Sequence, residues 1–393
     1  MKARKSRAII AIALATAVFG ATPAFAGVTI NGSGATFAGP LNDVCKADFN
    51  KDTGNTVNYS GGGSGKGRTD FSGGLVDFAG SDAPYSSGEP ANLVYAPVYA
   101  APIAIMYNIP GIKESIYLSP STIAQIFSGY ITNWDDKQIA ADNARTVKTP
   151  VFETKKVNVT VKGKKTTKVV PVLDAKGKPK IKSYKTTQVN IDLPKSQITV
   201  WYRTDSSGTS ENFTNFLNKT ASDKWTKAKN AVFANSTPRN IATQFNFQGA
   251  SGSAAVAAGV KSKEGSIGYG ELSFALATSL QVANVQNAAG EFVKPEAAGV
   301  SAFLGGGTIN ANGTVAYDFA KSIPGAYPLG VTSYGLAYAS GKDTAKQKAV
   351  AEWFSYVLTK CPSKYPEKGF STITGPLATK ATEQIAKDRK SNV

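Results

Sequence analysis

Residues 198–217 read ITVWYRTDSSGTSENFTNFL, and the rest of the chain is placed by how this run is taken. ITVWYR is rich in β-branched and aromatic residues and reads as a strand. Thr204-Asp205-Ser206-Ser207-Gly208-Thr209 is turn chemistry. Phe213, Phe216 and Leu217 then fall on one face of a helix. Hydroxyls and a glycine at a helix start suit an anion, because the first N–H groups are unpaired and the dipole favours negative charge. Arg203 stands just before the turn and can fork onto two oxygens of a tetrahedral oxyanion. An ordinary Ser/Asp N-cap beside a surface arginine fits the same letters equally well.

Three more runs repeat the theme. Residues 31–40, NGSGATFAGP, read as strand, small-residue turn and helix start, with Pro40 near the first helical position. Residues 75–84, LVDFAGSDAP, read as a strand ending in a carboxylate turn. Residues 59–71, YSGGGSGKGRTDF, read as a Gly/Ser loop between strand-like flanks, NTVNY and LVDFAGSDA. Set against the nucleotide pattern G-x-x-x-x-G-K-[ST] on Gly65-Lys66, this loop has Ser60 for the first glycine. It has Gly67 where the magnesium-binding hydroxyl belongs. A nucleotide P-loop is therefore rejected, and the ordered flanks argue against a mere linker. Glycines that let N–H groups converge still suit an anion.

The chain begins like an exported one. MKARKSR carries four positive charges, AIIAIALATAVFG is apolar, and Ala24-Phe25-Ala26 fits the A-x-A cleavage rule. Residues 1–26 are thus expected to be a signal peptide, too short in its apolar part for a membrane anchor. No cysteine sits at the cleavage point, which argues against a lipid-anchored form. The expected location is a bacterial periplasm, with full secretion the alternative. The 367 residues after Ala26 suit two domains.

There is no histidine, which removes Ser-His and Cys-His nucleophiles, histidine metal sites and histidine acid–base work. With two cysteines a Cys-rich zinc site is excluded too. No metal, no cofactor and no enzymatic activity are expected. Cys45 lies on the apolar face of a helix with Leu41, Val44 and Phe49, closed by Gly54. Cys361 ends a second helix carrying Val350, Phe354, Val357 and Leu358. In an oxidising compartment this pair suggests a disulfide, and two separate buried thiols are the alternative.

The net charge of +17 is local. The first 26 residues carry +4, and residues 141–196 hold 14 Lys/Arg against 4 Asp/Glu. That insert alternates Val/Ile with Lys/Thr and breaks at Lys162-Gly163-Lys164 and at residues 174–179, so it reads as a protruding β-hairpin or small meander. Its lysines suit solubility and blocked edges, or an acidic partner such as a surface polysaccharide, DNA or an anionic membrane. The aromatic interleaving of single-strand readers is missing, and no nucleic-acid partner is expected. Val151, Phe152 and Tyr184 read as packing residues.

GSGATFAGPL, TGNTVNYSGGGSGKG, VDFAGSDAP, IFSGYITNWDD, YRTDSSGTSENFTNFL, GSIGYGELSFA and YPLGVTSYGLAY, in that order, resemble the periplasmic phosphate-binding proteins (PstS) of Pst-type phosphate ABC importers. The resemblance covers about residues 27–140 and 197–393; the insert has no counterpart in the family pattern. It implies an α/β, two-lobed substrate-binding protein (type II) with phosphate in the cleft and permease subunits as partners. Lobe I would comprise residues 27–100 and 328–393. Lobe II would comprise 101–327, including the insert. Carried over by position, Thr36 and the Phe37 N–H, Ser64, Arg203, Ser207, Gly208 and Thr209 would donate to phosphate. Asp205 would orient Arg203. Asp82 would accept the ligand's proton, which sulfate lacks at neutral pH. Lys66 interrupts the glycines of its loop and reads as a rim residue that adds charge at the cleft mouth. A secreted matrix or adhesion protein using the basic insert is the alternative function.

Overall fold

The computed structural model describes residues 27–161, 164–175, 177, 179–339 and 343–390. The signal peptide expected over 1–26 and the turn residues 162–163 lie outside the described residues. The chain is a mixed α/β protein around one nine-stranded sheet. Its strands are β1 (Thr29–Gly34), β2 (Thr56–Gly61), β3 (Phe78–Ser81), β4 (Leu93–Asn108), β9 (Thr199–Arg203), β10 (Phe247–Ala250), β11 (Ser266–Glu271) and β12 (Gly330–Tyr338), with a short strand beside β4. Four further strands, β5 to β8, belong to the insert described below.

The sheet order is 10-9-11-4-12-3-1-2. β1 pairs in parallel with β2 and β3 at one end, and β9 pairs in parallel with β10 and β11 at the other. Sixteen-residue β4 ties the two ends together. Its first part pairs antiparallel with β12 up to Pro102, and its remainder pairs with β11 from Ile103. β4 is buried along nearly all of its length, as a strand covered on both faces should be.

The helices follow their apolar spacing. α1 (Gly39–Thr53) buries Leu41, Cys45 and Phe49, and Gly54 closes it at φ +76°, donating its N–H to Asn50. α5 (Thr344–Thr359) stops two residues before Cys361 and packs on α1, with the Trp353 and Tyr356 rings 5.3 and 5.4 Å from Phe49. Cys45 and Cys361 are disulfide-bonded, with Cα atoms 5.7 Å apart across a separation of 316 residues.

Residues 59–71 are not a Gly/Ser loop. α2 (Ser64–Ser72) begins one residue after Gly63. Two glycines make this a poor helix by propensity, and packing decides instead. A Cβ on Gly65 would lie 2.2 Å from Ser206 Oγ, and one on Gly67 would lie 2.7 Å from Gly34 Cα. These glycines serve close approach.

The insert forms two antiparallel ribbons end to end. β5 (Ala144–Phe152) pairs with β8 (Ile181–Asn190), and β6 (Thr154–Val161) pairs with β7 (Lys164–Pro171). Neither ribbon joins the central sheet. Val151, Phe152 and Tyr184 are not packing residues: they are 41%, 41% and 58% exposed. A two-stranded ribbon has no second layer to cover them.

Loop-closure entropy makes the bridge worth about 2–5 kcal/mol. The Cys45→Ser, Cys361→Ser variant is expected to melt well below the oxidised protein in calorimetry. An unchanged melting temperature would contradict a structural role for the bridge.

Candidate functional site: a buried oxyanion cradle

The carboxyl ends of the parallel strands meet, which is where open α/β sheets place their ligands. β1 delivers Thr36 and Phe37, β2 leads to Ser64, β3 leads into Asp82, and β9 ends at Arg203. α3 (Gly208–Thr220) follows Arg203, with Phe213, Phe216 and Leu217 buried as their spacing requires. α4 (Ser253–Ser262) follows β10.

Arg203 is 1% exposed. Its Nε donates to Asp205 Oδ1 at 2.7 Å, and its Nη2 donates to Asp205 Oδ2. Its Nη1 donates to Ser253 Oγ at 3.0 Å. Asp205 Oδ1 also accepts the Gly252 N–H at 3.0 Å. Burial pushes Asp205 up, and the hydrogen bonds and charge of Arg203 outweigh that, holding its carboxyl below the usual range. A guanidinium has five N–H donors. Three are engaged here, so two remain without a protein acceptor among the described residues.

Asp82 is 2% exposed. Its Oδ1 accepts from Ser333 Oγ at 2.8 Å and its Oδ2 from Thr209 Oγ1 at 3.2 Å. Its backbone N–H donates to Ser64 Oγ at 3.1 Å, and its carbonyl accepts from Asn212 Nδ2 at 2.6 Å. Burial pushes its pKa up to about 6, against the Ser333 hydrogen bond, the Arg203 charge and the Thr209 hydrogen bond. Gly208 is required for this approach: a Cβ there would lie 2.5 Å from Ser64 Oγ and 2.9 Å from Asp82 Cβ.

Ser207 is the N-cap of α3, its Oγ accepting the Ser210 N–H at 3.1 Å. The capping reading of the sequence therefore holds for Ser207, and its own O–H stays free to donate. The N–H groups of Gly208 and Thr209 open the helix with no intrahelical acceptor. Phe37 points its ring into the core, 6.0 Å from that of Tyr99, leaving only its backbone for the site. Thr36 Oγ1 lies 3.2 Å from Ser253 Oγ.

Lys66 keeps an exposed side chain, as a rim residue does, and its charge is shared with a neighbour. It lies back along Gly62 and pairs with Asp70, which also accepts from Ser33 Oγ at 2.7 Å. Four further buried polar side chains were not singled out from the sequence. Ser253 stands in GASGSAA, a further glycine–hydroxyl helix start whose pattern matches the others. Ser333 stands at a β-bulge in β12, which no local pattern announces. Asn212 bridges the Asp82 and Gly208 carbonyls. Glu271, fully buried and pushed up to about 8 by that burial, pairs with Ile103 where β4 changes partner. No group of three or more His, Cys, Asp or Glu residues suited to a metal occurs among the described residues.

Asp82 has a folded pKa above its ordinary value of 3.8, so the stability it contributes is full below about pH 4 and is lost as pH rises through 6. Its ionisation costs on the order of 3 kcal/mol at neutral pH. Ligand-free Asp82→Asn is expected to melt a few degrees above the parent at pH 7.5, with the gap closing toward pH 4. A lower melting temperature at pH 7.5 would contradict this.

The chain is 29% identical over 337 residues to "Phosphate-binding protein PstS" of Xylella fastidiosa, covering 84% of this chain and 77% of that one. It is 29% identical over 338 residues to "Phosphate-binding protein PstS 3" of Mycobacterium leprae, covering 81% and 76%. Among solved structures it resembles the phosphate-binding protein from Stenotrophomonas maltophilia, at a TM-score of 0.61 and 19% identity over 91% of this chain and 93% of the other. It also resembles PfluDING, a periplasmic phosphate-binding protein solved with phosphate, at a TM-score of 0.63 and 22% identity over 92% and 93%. The model of the PBP superfamily domain matches residues 18–360, and the chain belongs to that superfamily.

Proposed function

We propose that this protein captures inorganic phosphate in the cradle and delivers it to the permease subunits of an ABC-type importer. The observation that carries the reading is a buried arginine with unspent N–H groups beside a buried carboxylate. A ligand that satisfies both must accept from one side and donate to the other. Phosphate near neutral pH keeps a proton and does so; sulfate offers Asp82 only lone pairs. Leaving such a group unpaired costs about 1–3 kcal/mol or more.

Arg203 is already neutralised by Asp205, so the ligand's charge falls mostly to dipoles: the N–H groups of Phe37, Gly208 and Thr209, and the hydroxyls of Thr36, Ser64, Ser207 and Thr209. Oriented dipoles in a dry site serve an anion well. The chemistry is binding without turnover. Residues 27–100 with 328–393, and residues 101–327, act as two lobes that close on the ligand, and a permease reads the closure. A 1–26 leader exports the chain, and the periplasm is where a permease can receive phosphate from it.

The relatives favour this reading over an adhesion protein. The lysine-rich arm still calls for a partner of its own. Among the described residues, six of the ten large exposed apolar side chains lie on it: Val151, Phe152, Val169, Leu173, Ile181 and Tyr184. An acidic polymer lying along the arm meets its lysines while phosphate transfer proceeds at the cradle.

Ligand-stripped protein is expected to bind phosphate one-to-one in titration calorimetry and to ignore sulfate. Asp82→Asn should narrow that preference at least tenfold, on the order of one hydrogen bond to a charged group. Deleting the arm should leave phosphate affinity unchanged. Equal affinity of the parent for both anions, or loss of phosphate binding with the arm, would overturn the reading.

A further inference from the structure

Ser253 is fully buried at the first position of α4 and touches both sides of the cradle. Its Oγ accepts from Arg203 Nη1 at 3.0 Å and lies 3.2 Å from Thr36 Oγ1. Its backbone N–H donates to the same Thr36 Oγ1 at 3.2 Å. Thr36 follows β1, at one end of the sheet, while Arg203 and Ser253 follow β9 and β10 at the other. These contacts therefore span the cradle.

The direction of the hydrogen bonds matters. A guanidinium only donates, so Ser253 Oγ is an acceptor toward Arg203 and keeps its own proton. The nearest oxygen for that proton is Thr36 Oγ1, which already accepts the Ser253 N–H. With both bonds made, Thr36 can use its hydroxyl toward a third group only as a donor. In the direction where Ser253 Oγ donates to Thr36 Oγ1, the chain runs from Arg203 through Ser253 to Thr36 with every proton aimed forward, and such chains polarise one another.

We propose that Ser253 is a positioning residue that makes Thr36 an obligate donor to the bound oxyanion and couples it to Arg203 across the cradle. This rests on the phosphate reading. Replacing Ser253 removes the hydroxyl that holds Thr36, so the Thr36 proton is no longer fixed on the anion and the link to Arg203 is broken. Ser253 would thus act on affinity without touching the ligand.

The test is a double-mutant cycle on the full chain: parent, Ser253→Ala, Thr36→Val and both together, each stripped of ligand, checked by melting and titrated with phosphate. Each single variant is expected to weaken binding about 10- to 100-fold. The double variant should fall within about threefold of the weaker single variant, because the second change removes what the first has already disabled. Multiplying penalties, or a Ser253→Ala that binds like the parent, would overturn the proposal while leaving the phosphate reading intact. A parent that fails to bind phosphate would overturn both.

Discussion

The buried pair of Arg203 and Asp205 holds the site in shape. Taking two charges out of water costs several kcal/mol each, and a buried pair gains stability only when its remaining donors and acceptors are met. Here the backbone of Gly252 and the hydroxyl of Ser253 meet part of that need, and meeting it fixes where α4 begins. The same carboxylate leaves no room at Gly63, where a Cβ would lie 2.4 Å from Asp205 Oδ2. One ion pair thereby sets the position of α2, α4 and the turn into α3. What it leaves over is two N–H groups of a guanidinium, held still and shielded from water.

Asp82 works in the opposite sense. Its carboxylate is buried without an ion-pair partner of its own and is pushed toward neutrality. Glu271 shares this condition where β4 changes partner. Two such groups cost stability in a fold that otherwise has a continuous core from Ile30 to Ile385 and a disulfide tying its ends. The surplus of that core offsets the cost of these two buried carboxylates. Strain of this kind belongs where function is.

Much of this was legible before any coordinates. The strand–turn–helix rhythm around Arg203, the apolar face of α1 and the cysteine pair all depend on local spacing, and all three hold in the structure. The eight residues expected to bind the ligand stand at or just after strand ends or at the helix starts that follow them, where the letters mark the turn. The failures have physical reasons. Residues 64–72 are a helix against their own propensity, since packing of Gly65 and Gly67 against distant backbone outweighs it. Lys66 pairs with Asp70, which stands one helical turn on, a partner the loop reading of this run did not offer. Ser333 is aimed at Asp82 by a bulge 251 residues away in sequence, and no reading of neighbours finds that.

The central claim is a place: one anion held between Arg203 and Asp82. A crystal structure of the phosphate-loaded protein tests it most directly. The account predicts one phosphate with two oxygens on the Arg203 guanidinium and a third within hydrogen-bond reach of the Asp82 carboxylate. The same ion should meet the N–H groups of Gly208 and Thr209. A phosphate seated on the lysine-rich arm instead, or one that reaches Arg203 but stays clear of Asp82, would contradict it.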